Sequence, residues 1–345
     1  MTPPHRTPAP ARSPEGSYGP PTPGHAPGYD GTTYYDRPSL KPAPFQNSVV
    51  GSYIFIAGLA GAAQLLATLV RRAGRSDGER VVRRGRLLSL LAPTVGTGLL
   101  IYDLRTPQRF YNMLRIFRRT SPMSIGTWLL MVFSASSLIT AAGELLHDWF
   151  GWRWPRQAAR AAELPAAASG AGLGTYTASL LSATSNPLWA AAPCALAVRF
   201  GSSSVASAAA ALSMGERARN ARLARDLDAV ALGALLVELL AARSARRTWK
   251  EKGISAARTG WPALVLEEAG ASVLGTVAPI ALHAAALACG PRRESRAAAA
   301  ASAAILLGSL ALRVGTLAAG DESAARPQDN FNLASPRNLP GRSYR

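Results

Sequence analysis

The sequence predicts an all-α integral membrane protein with eight transmembrane helices, and three observations carry that expectation. Long stretches bear no formal charge: none lies between Lys41 and Arg71, between Arg119 and Glu144, or between Glu163 and Arg199. A run of about 18 or more apolar residues is long enough to cross a hydrocarbon core about 30 Å thick. The charge that exists gathers at the chain ends and in short bursts. Finally, the connections are short for runs of this length, so a soluble Ala-rich helical fold would leave too much apolar surface in water.

Taken in order, residues 1–33 hold nine prolines with Gly and Ser. That composition cannot build a core and reads as a disordered tail without the apolar stretch of a signal peptide. Span 1 falls near 48–70, with Phe45 and a pair of tyrosines ahead of it at headgroup level. Within it, Gly58, Gly61 and Ala62 make a smooth face for another helix. Tyr53 lies about two turns inside; at that depth its phenol needs a neighbouring helix or a ligand. Span 2 (86–103) ends on Asp103, a carboxylate that opposes the helix macrodipole at the edge of hydrocarbon and calls for a partner. Arg105 and Arg109 are the nearest, and an ordinary interfacial ion pair is as good a reading as a functional one. Ser121 and Pro122 then cap span 3 (123–146). Spans 4 and 5 (167–185 and 188–212) form a hairpin through "TYTASLLSATSNPLWAA", where Tyr176 stands among Thr and Ser, Asn186-Pro187 turns the chain and no Lys or Arg occurs. Hydroxyls at this depth join helix to helix or hold a ligand oxygen. Spans 6 to 8 (226–242, 266–288 and 297–318) are Ala-rich and interrupted by charge. A polar stretch from 321 to 345 reads as a loose tail.

A net charge of +18 would ordinarily raise nucleic acid as a partner. Here the arginines sit in short loops, as they do in membrane proteins that orient by charge, so no nucleic acid is expected. The loops after odd-numbered spans carry the larger share, which places them in the cytoplasm and both termini outside. Cys194 and Cys289 have no neighbours at metal-ligand spacing, so no zinc or iron–sulfur motif is present. Of four histidines only His283 lies at membrane depth, and one His cannot supply both axial ligands of a membrane b-type haem. The remaining membrane-depth charges are Arg199, Glu144, Glu238, Glu267, Glu268 and Arg313. Intramembrane ionisable residues are functional candidates; with His283 the last five form a candidate proton path, against the alternative of snorkelling and interhelical pairing.

Several motifs resemble one family. They are "YYDRPSLKP" before span 1, "GLAG" within it, "DLRTPQRFYNMLRIFRRTSPMSIGTW" between spans 2 and 3, "YTASLLSATSNPLW" at the hairpin and "LLGSLALRVGTLAAG" in span 8, together covering 34–320. The chain resembles the NrfD/PsrC membrane subunits of complex iron–sulfur molybdoenzymes, the polysulfide reductase type. The resemblance implies eight transmembrane helices as two four-helix bundles. It implies no redox metal, haem or iron–sulfur cluster in this chain, and a quinone such as menaquinone bound near the face where a four-cluster ferredoxin-like iron–sulfur subunit docks. Electrons then pass between quinone, that subunit and a molybdopterin catalytic subunit, in the plasma membrane.

In an eight-span topology the start of span 1, the end of span 2 and the Asn186 turn share one side. Tyr53, Asp103, Tyr176 and Asn186 are therefore the expected quinone-binding residues, and Arg105, Arg109, Arg115 and Arg118 the expected docking surface for an acidic partner. In the family pattern an Asn and a His at the start of span 1 touch the quinone; this chain offers Val50 and Tyr53 there, and a Tyr is a poor proton acceptor near neutral pH. The alternatives are a transporter or proton-translocating bundle without quinone chemistry, and a purely structural membrane anchor.

Overall fold

The computed structural model describes residues 40–41, 43–104, 107–254, 260–288, 291–335 and 338, and its regular elements are all helical. The Pro-rich segment 1–33 and Arg105 lie outside these residues.

Helix α1 (Asn47–Arg72) runs through the charge-free stretch and stops at Arg71 and Arg72, just ahead of Gly74 at φ 66°. After a short turn, α2 (Glu79–Ser89) leads into a π-helical turn at Ala92–Gly96 and then α3 (Thr97–Asp103). Pro93 has no N–H to donate, and the ladder widens there: the Gly96 N–H donates to the Leu91 carbonyl, 2.9 Å away. A short helix, α4 (Phe110–Arg115), precedes α5 (Pro122–Phe150). The expected cap is in place, Ser121 Oγ accepting from the Ser124 N–H at 3.4 Å. The other end of α5 closes on Gly151 at φ 69°, a left-handed conformation that suits glycine. Helix α6 (Arg153–Ser182) carries Pro165 in its interior. Asn186 caps α7 (Pro187–Ala191), and Pro193 opens α8 (Pro193–Glu216). Asn220 caps α9 (Ala221–Glu251). The seventh apolar stretch comprises α10 (Trp261–Ala263), a long π-helical segment (Leu264–Val277) and α11 (Ala278–Ala288). Helix α12 (Pro291–Ala325) is followed by α13 (Pro327–Ala334).

Six of these stretches are long and apolar enough to cross a membrane: Asn47–Arg72, Glu79–Asp103, Pro122–Phe150, Pro193–Glu216, Leu264–Ala286 and Arg296–Ala325. The protein is a multi-pass integral membrane protein. Two more helices are equally long: α6, with 30 residues, is charge-free after Glu163 but rich in Ala, Gly, Ser and Thr, and α9, with 31, carries charges along its length.

Helix α1 lies at the centre, packed on α2, α6, α8 and α12, while α5 lies along α6, α8 along α9, and α12 along the π-helical segment and α11. Small residues bring these axes close, since lipid offers no hydrophobic drive between helices. At the α1–α6 crossing Gly61 and Gly170 face each other backbone to backbone, and Gly275 meets Gly308 in the same way. One departure from the sequence reading lies at the C-terminus. Residues 321–334 are helical rather than loose, because their acids find partners: Asp321 accepts from Asn47 Nδ2 at 2.6 Å, and buried Asp329 accepts from Ser323 Oγ at 3.1 Å.

Candidate functional site

One end of the molecule collects the start of α1, the end of α3, the start of α5, the end of α6, α7 and the end of α12. Backbone and side-chain bonds tie these together: Gln46 to Asp103, Asn186 to Gly320, and Trp249 to Leu188. Below this face, between α1, α3, α5 and α6, lies a cavity of about 760 Å³. Its walls are largely apolar, with Val50, Ile54, Leu100, Leu130, Met131 and Leu180 among them.

Three of the four residues singled out for a quinone line this cavity: Tyr53, Asp103 and Tyr176. Asp103 shows how tertiary structure resolves a local conflict. Its carboxylate opposes the dipole of seven-residue α3, but Oδ1 accepts the Gln46 N–H at 3.1 Å, at the N-terminal end of 26-residue α1. The positive end of the longer helix faces it. The Tyr53 ring lies against Gly96 in the π turn. The Tyr176 hydroxyl donates to the Pro122 carbonyl at 2.5 Å, and its ring fills the space where a side chain at Gly126 would stand. Asn186 is not brought to the cavity. It is buried and structural: Nδ2 donates to the Gly320 carbonyl at 2.7 Å while Oδ1 accepts the Leu188 N–H at 3.2 Å. Both of its polar side-chain atoms are engaged in holding the turn.

Thr177 was within reach of the sequence reading, among the hydroxyls around Tyr176. It is buried in the cavity wall, and its Oγ1 has no hydrogen-bond partner among the described residues. A buried hydroxyl of that kind is costly unless something accepts or donates there. Gly126 was missed as an individual residue; it stands inside the quoted "SPMSIGTW" motif, but nothing local reveals that an aromatic ring will lie on it.

Arg115 and Arg118 are exposed on the same face, with Tyr111, Ile116 and Phe117 exposed beside them. The Arg118 N–H donates to Ser124 Oγ at 2.9 Å, which fixes this loop to the first turn of α5. Of Arg109 only the backbone is described.

The candidate proton-path residues do not form one line. Glu144 lies near the opposite end, 2.5 Å from Arg86 and 3.4 Å from Arg71, which also approaches Glu163. Glu267 and Arg199 make a fully buried pair at 2.5 Å. Glu238 is buried nearby and accepts from Thr276 Oγ1 at 3.3 Å. Glu268 meets Arg246 at 2.6 Å in a more open position. His283 is buried, with Nε2 unbonded among the described residues. Arg313, read as a partner for one of the acids, is held instead by serines and carbonyls. Nη1 donates to Ser203 Oγ, Ser309 Oγ and the Ser309 carbonyl, Nη2 to Ser204 Oγ and the Phe200 carbonyl, all within 3.0 Å. Serines of α8 and α12 take up its Nη hydrogens, while Nε has no hydrogen-bond partner among the described residues.

On the face opposite the cavity, Arg75 donates twice to Asp77, at 3.1 Å, and once to Asp226 at 2.6 Å. Arg75, with help from Asn220, holds the Asp77 carboxyl down at about 2, so Asp77 stays ionised at any physiological pH in this clasp between the α1–α2 loop and the start of α9.

Residues 40–322 match the family model for NrfD, polysulphide reductase. The sequence is also similar to the C subunit of polysulfide reductase from Wolinella succinogenes, with 29% identity over 147 residues, 39% of this protein and 46% of that one. The aligned region therefore spans about half the length of that relative. A family match over most of the sequence, on a helical membrane scaffold with a cavity under one face, settles the membership: this chain belongs to the NrfD polysulphide reductase family.

Proposed function

We propose that this protein is the quinone-reacting membrane subunit of an oxidoreductase complex, crossing the bilayer eight times in two four-helix bundles. The central observation is the cavity itself: a largely apolar chamber whose polar lining comprises the phenols of Tyr53 and Tyr176, the Asp103 carboxylate, the unbonded Thr177 hydroxyl and the hydroxyls of Thr97, Thr127 and Ser134. Those residues suit a ring with an oxygen on either side and an apolar body. When bound, a quinol supplies two electrons and releases two protons on oxidation. Tyr53 and Thr177 would hold a quinone oxygen through their hydroxyls, and the apolar walls would exclude water. Asp103 would hold a proton at Oδ2, since Oδ1 is bonded to the Gln46 N–H; a titratable group within reach is what such chemistry needs. Tyr176, whose hydrogen is committed to the Pro122 carbonyl, would position the ring and accept at its oxygen.

The exposed Arg115 and Arg118 beside Phe117 support docking of an acidic partner on this face, a four-cluster ferredoxin-like iron–sulfur subunit that connects to a molybdopterin catalytic subunit. The remaining surface faces membrane lipid. In the second half, the buried Arg199–Glu267 pair and Glu238 favour an accompanying role in proton transfer, with His283, Glu268, Glu144 and Arg313 as further candidates; dye-reported proton uptake in proteoliposomes would be lost in Glu238→Gln if they carry it.

Asp103→Asn is the direct test. It should slow quinol turnover by about 10²-fold or more, the scale of losing a positioned acid–base group, while the complex still assembles and a quinone analogue still binds. Normal turnover in that variant would remove the role of Asp103. Tyr53→Phe should weaken analogue binding by about tenfold, the value of about one hydrogen bond.

A further inference from the structure

The end of the molecule opposite the cavity gathers charge and aromatic surface where α5 turns into α6. Trp149, Phe150, Trp152 and Trp154 are half exposed or more there, and the rings of Phe150 and Trp152 stack at 5.0 Å. Amphipathic rings of this kind belong at headgroup level. Arg153, Arg156 and Arg160 are exposed on the first turns of α6. The acids nearby are already matched: Glu144 meets Arg86 at 2.5 Å, Asp148 lies 3.9 Å from Arg83, and Glu163 approaches Arg71 and Arg86. None of these three arginines of α6 makes an ion pair among the described residues. His147 Nδ1 donates to the Trp152 carbonyl at 2.9 Å, which leaves Nε2 to accept from Arg156 Nη1 at 3.3 Å. The turn therefore holds Arg156 in place. Inside this end lies an apolar hollow of about 500 Å³ between α5 and α6. Val132 and Ile139 line it from α5, and Ala158, Ala161 and Pro165 from α6. Trp154, Ala158, Ala161 and Pro165 are spaced i, i+4, i+7 and i+11, so they share one face of the helix and the hollow runs inward from Trp154. From Trp154 to Pro165 is about 16 Å at the rise of an α-helix, the depth of one leaflet in a hydrocarbon core about 30 Å thick. Ser136, which also lines the hollow, turns its hydroxyl back to the Val132 carbonyl at 2.6 Å.

We infer that this end of α5 and α6 binds an anionic phospholipid, with one acyl chain in the hollow, Trp154 at the glycerol level, and Arg153 and Arg156 at the headgroup. An acyl chain meets equally apolar surface elsewhere on the protein, so the hollow supplies close packing and little preference by itself. The preference comes from the unmatched arginines. Each basic group close to an anionic lipid surface contributes about fivefold in binding. A zwitterionic lipid gains less, because its own ammonium opposes them. The loops on this face carry the larger share of Lys and Arg, and by the positive-inside rule they are cytoplasmic; that leaflet is the anionic one. The site sits at the membrane face opposite the cavity, so its test does not depend on the quinone reading.

The test is native mass spectrometry of the full chain released from detergent and titrated with dioleoylphosphatidylglycerol or dioleoylphosphatidylcholine. The wild type should retain phosphatidylglycerol about tenfold better. Arg153→Gln combined with Arg156→Gln should remove that preference, and the corresponding pair of Lys substitutions should keep it. Ala161→Trp, which fills the hollow, should weaken both lipids several-fold. Leu164→Trp should change neither, since Leu164 is exposed on the same helix but does not line the hollow. Equal retention of the two lipids by the wild type, an unchanged preference in the double Gln variant, or equal effects of the two Trp substitutions overturn the inference. A further arm uses the wild type alone. In nanodiscs, phosphatidylglycerol with a diazirine midway along its acyl chain should label residues 158–165, and unlabelled phosphatidylglycerol should displace it. Labelling confined to other segments overturns the site. Displacement by inorganic phosphate or by menaquinone in place of phosphatidylglycerol assigns it to another occupant and overturns it equally.

Discussion

Asp103 and Arg199 show how single ionised groups are tolerated at membrane depth. Asp103 gains the N-terminal end of α1; Arg199 gains Glu267. Removing one member of a buried pair leaves a charge that the interior cannot solvate, at a cost of about 3–5 kcal/mol, whereas replacing both with apolar groups is often neutral. Arg199→Met should therefore sharply lower the melting temperature in detergent, and adding Glu267→Leu should restore most of the loss. If the double variant melts lower still, the pair contributes more than mutual neutralisation. Asp329, outside the spans on α13, gives a pH dependence. Burial pushes its carboxyl up to about 6, against the opposing pull of Ser323 and Arg326, and above the usual carboxylate value of about 3.9. A raised value means the folded state keeps a proton that the unfolded polypeptide has lost. The contribution of Asp329 to docking of α13 is thus fully present below about pH 4 and is lost as the pH rises through about 6. The protection factors of amides in 327–334 should fall across that window and become independent of pH in Asp329→Asn.

Helix contacts depend on where glycine stands, and the glycines are not equivalent. A side chain at Gly61 would strike the backbone of Gly170, whereas at Gly98 it would meet nothing within 4 Å. Gly61→Val should therefore cost about 1–3 kcal/mol through forced separation of α1 and α6, while Gly98→Ala should be neutral or stabilising, since alanine is the better helix former. Thermal unfolding of both in detergent checks the contrast, and equal effects would refute it. Gly126→Ala couples an element to the site: the added methyl occupies the place of the Tyr176 ring, so it should break the Tyr176–Pro122 bond and weaken quinone binding without touching a polar group. Spans, caps and stops were readable in advance because they depend on neighbours in sequence. Ser121-Pro122 and Asn186-Pro187 fall where expected. The π-helical stretches at Ala92–Gly96 and Leu264–Val277 were not readable, because a widened turn is chosen by what packs against it.

For the entire molecule, hydropathy alone supports six crossings, and the less apolar helices α6 and α9 decide whether there are eight. In a background with Cys194 and Cys289 replaced by Ser, single cysteines at Gly151 and Ser185 bracket α6. An impermeant maleimide should reach them from opposite sides if α6 crosses the membrane; labelling from the same side would reduce the count and dismantle the two-bundle arrangement.

Membrane residence, the approximate positions of the long apolar helices, and the nearness of Tyr53, Asp103 and Tyr176 to one face were present in the linear sequence, because charge-free length, capping residues and alternating direction are properties of short segments. Which of those residues would share a cavity was not. Asn186 is spent on a cap and on Gly320, and the Nη groups of Arg313 donate to serines of α8 and α12 rather than to an acid. Those outcomes turn on competition among partners more than a hundred residues apart, and a polar group at membrane depth goes to whichever partner the folded helices bring within hydrogen-bonding distance.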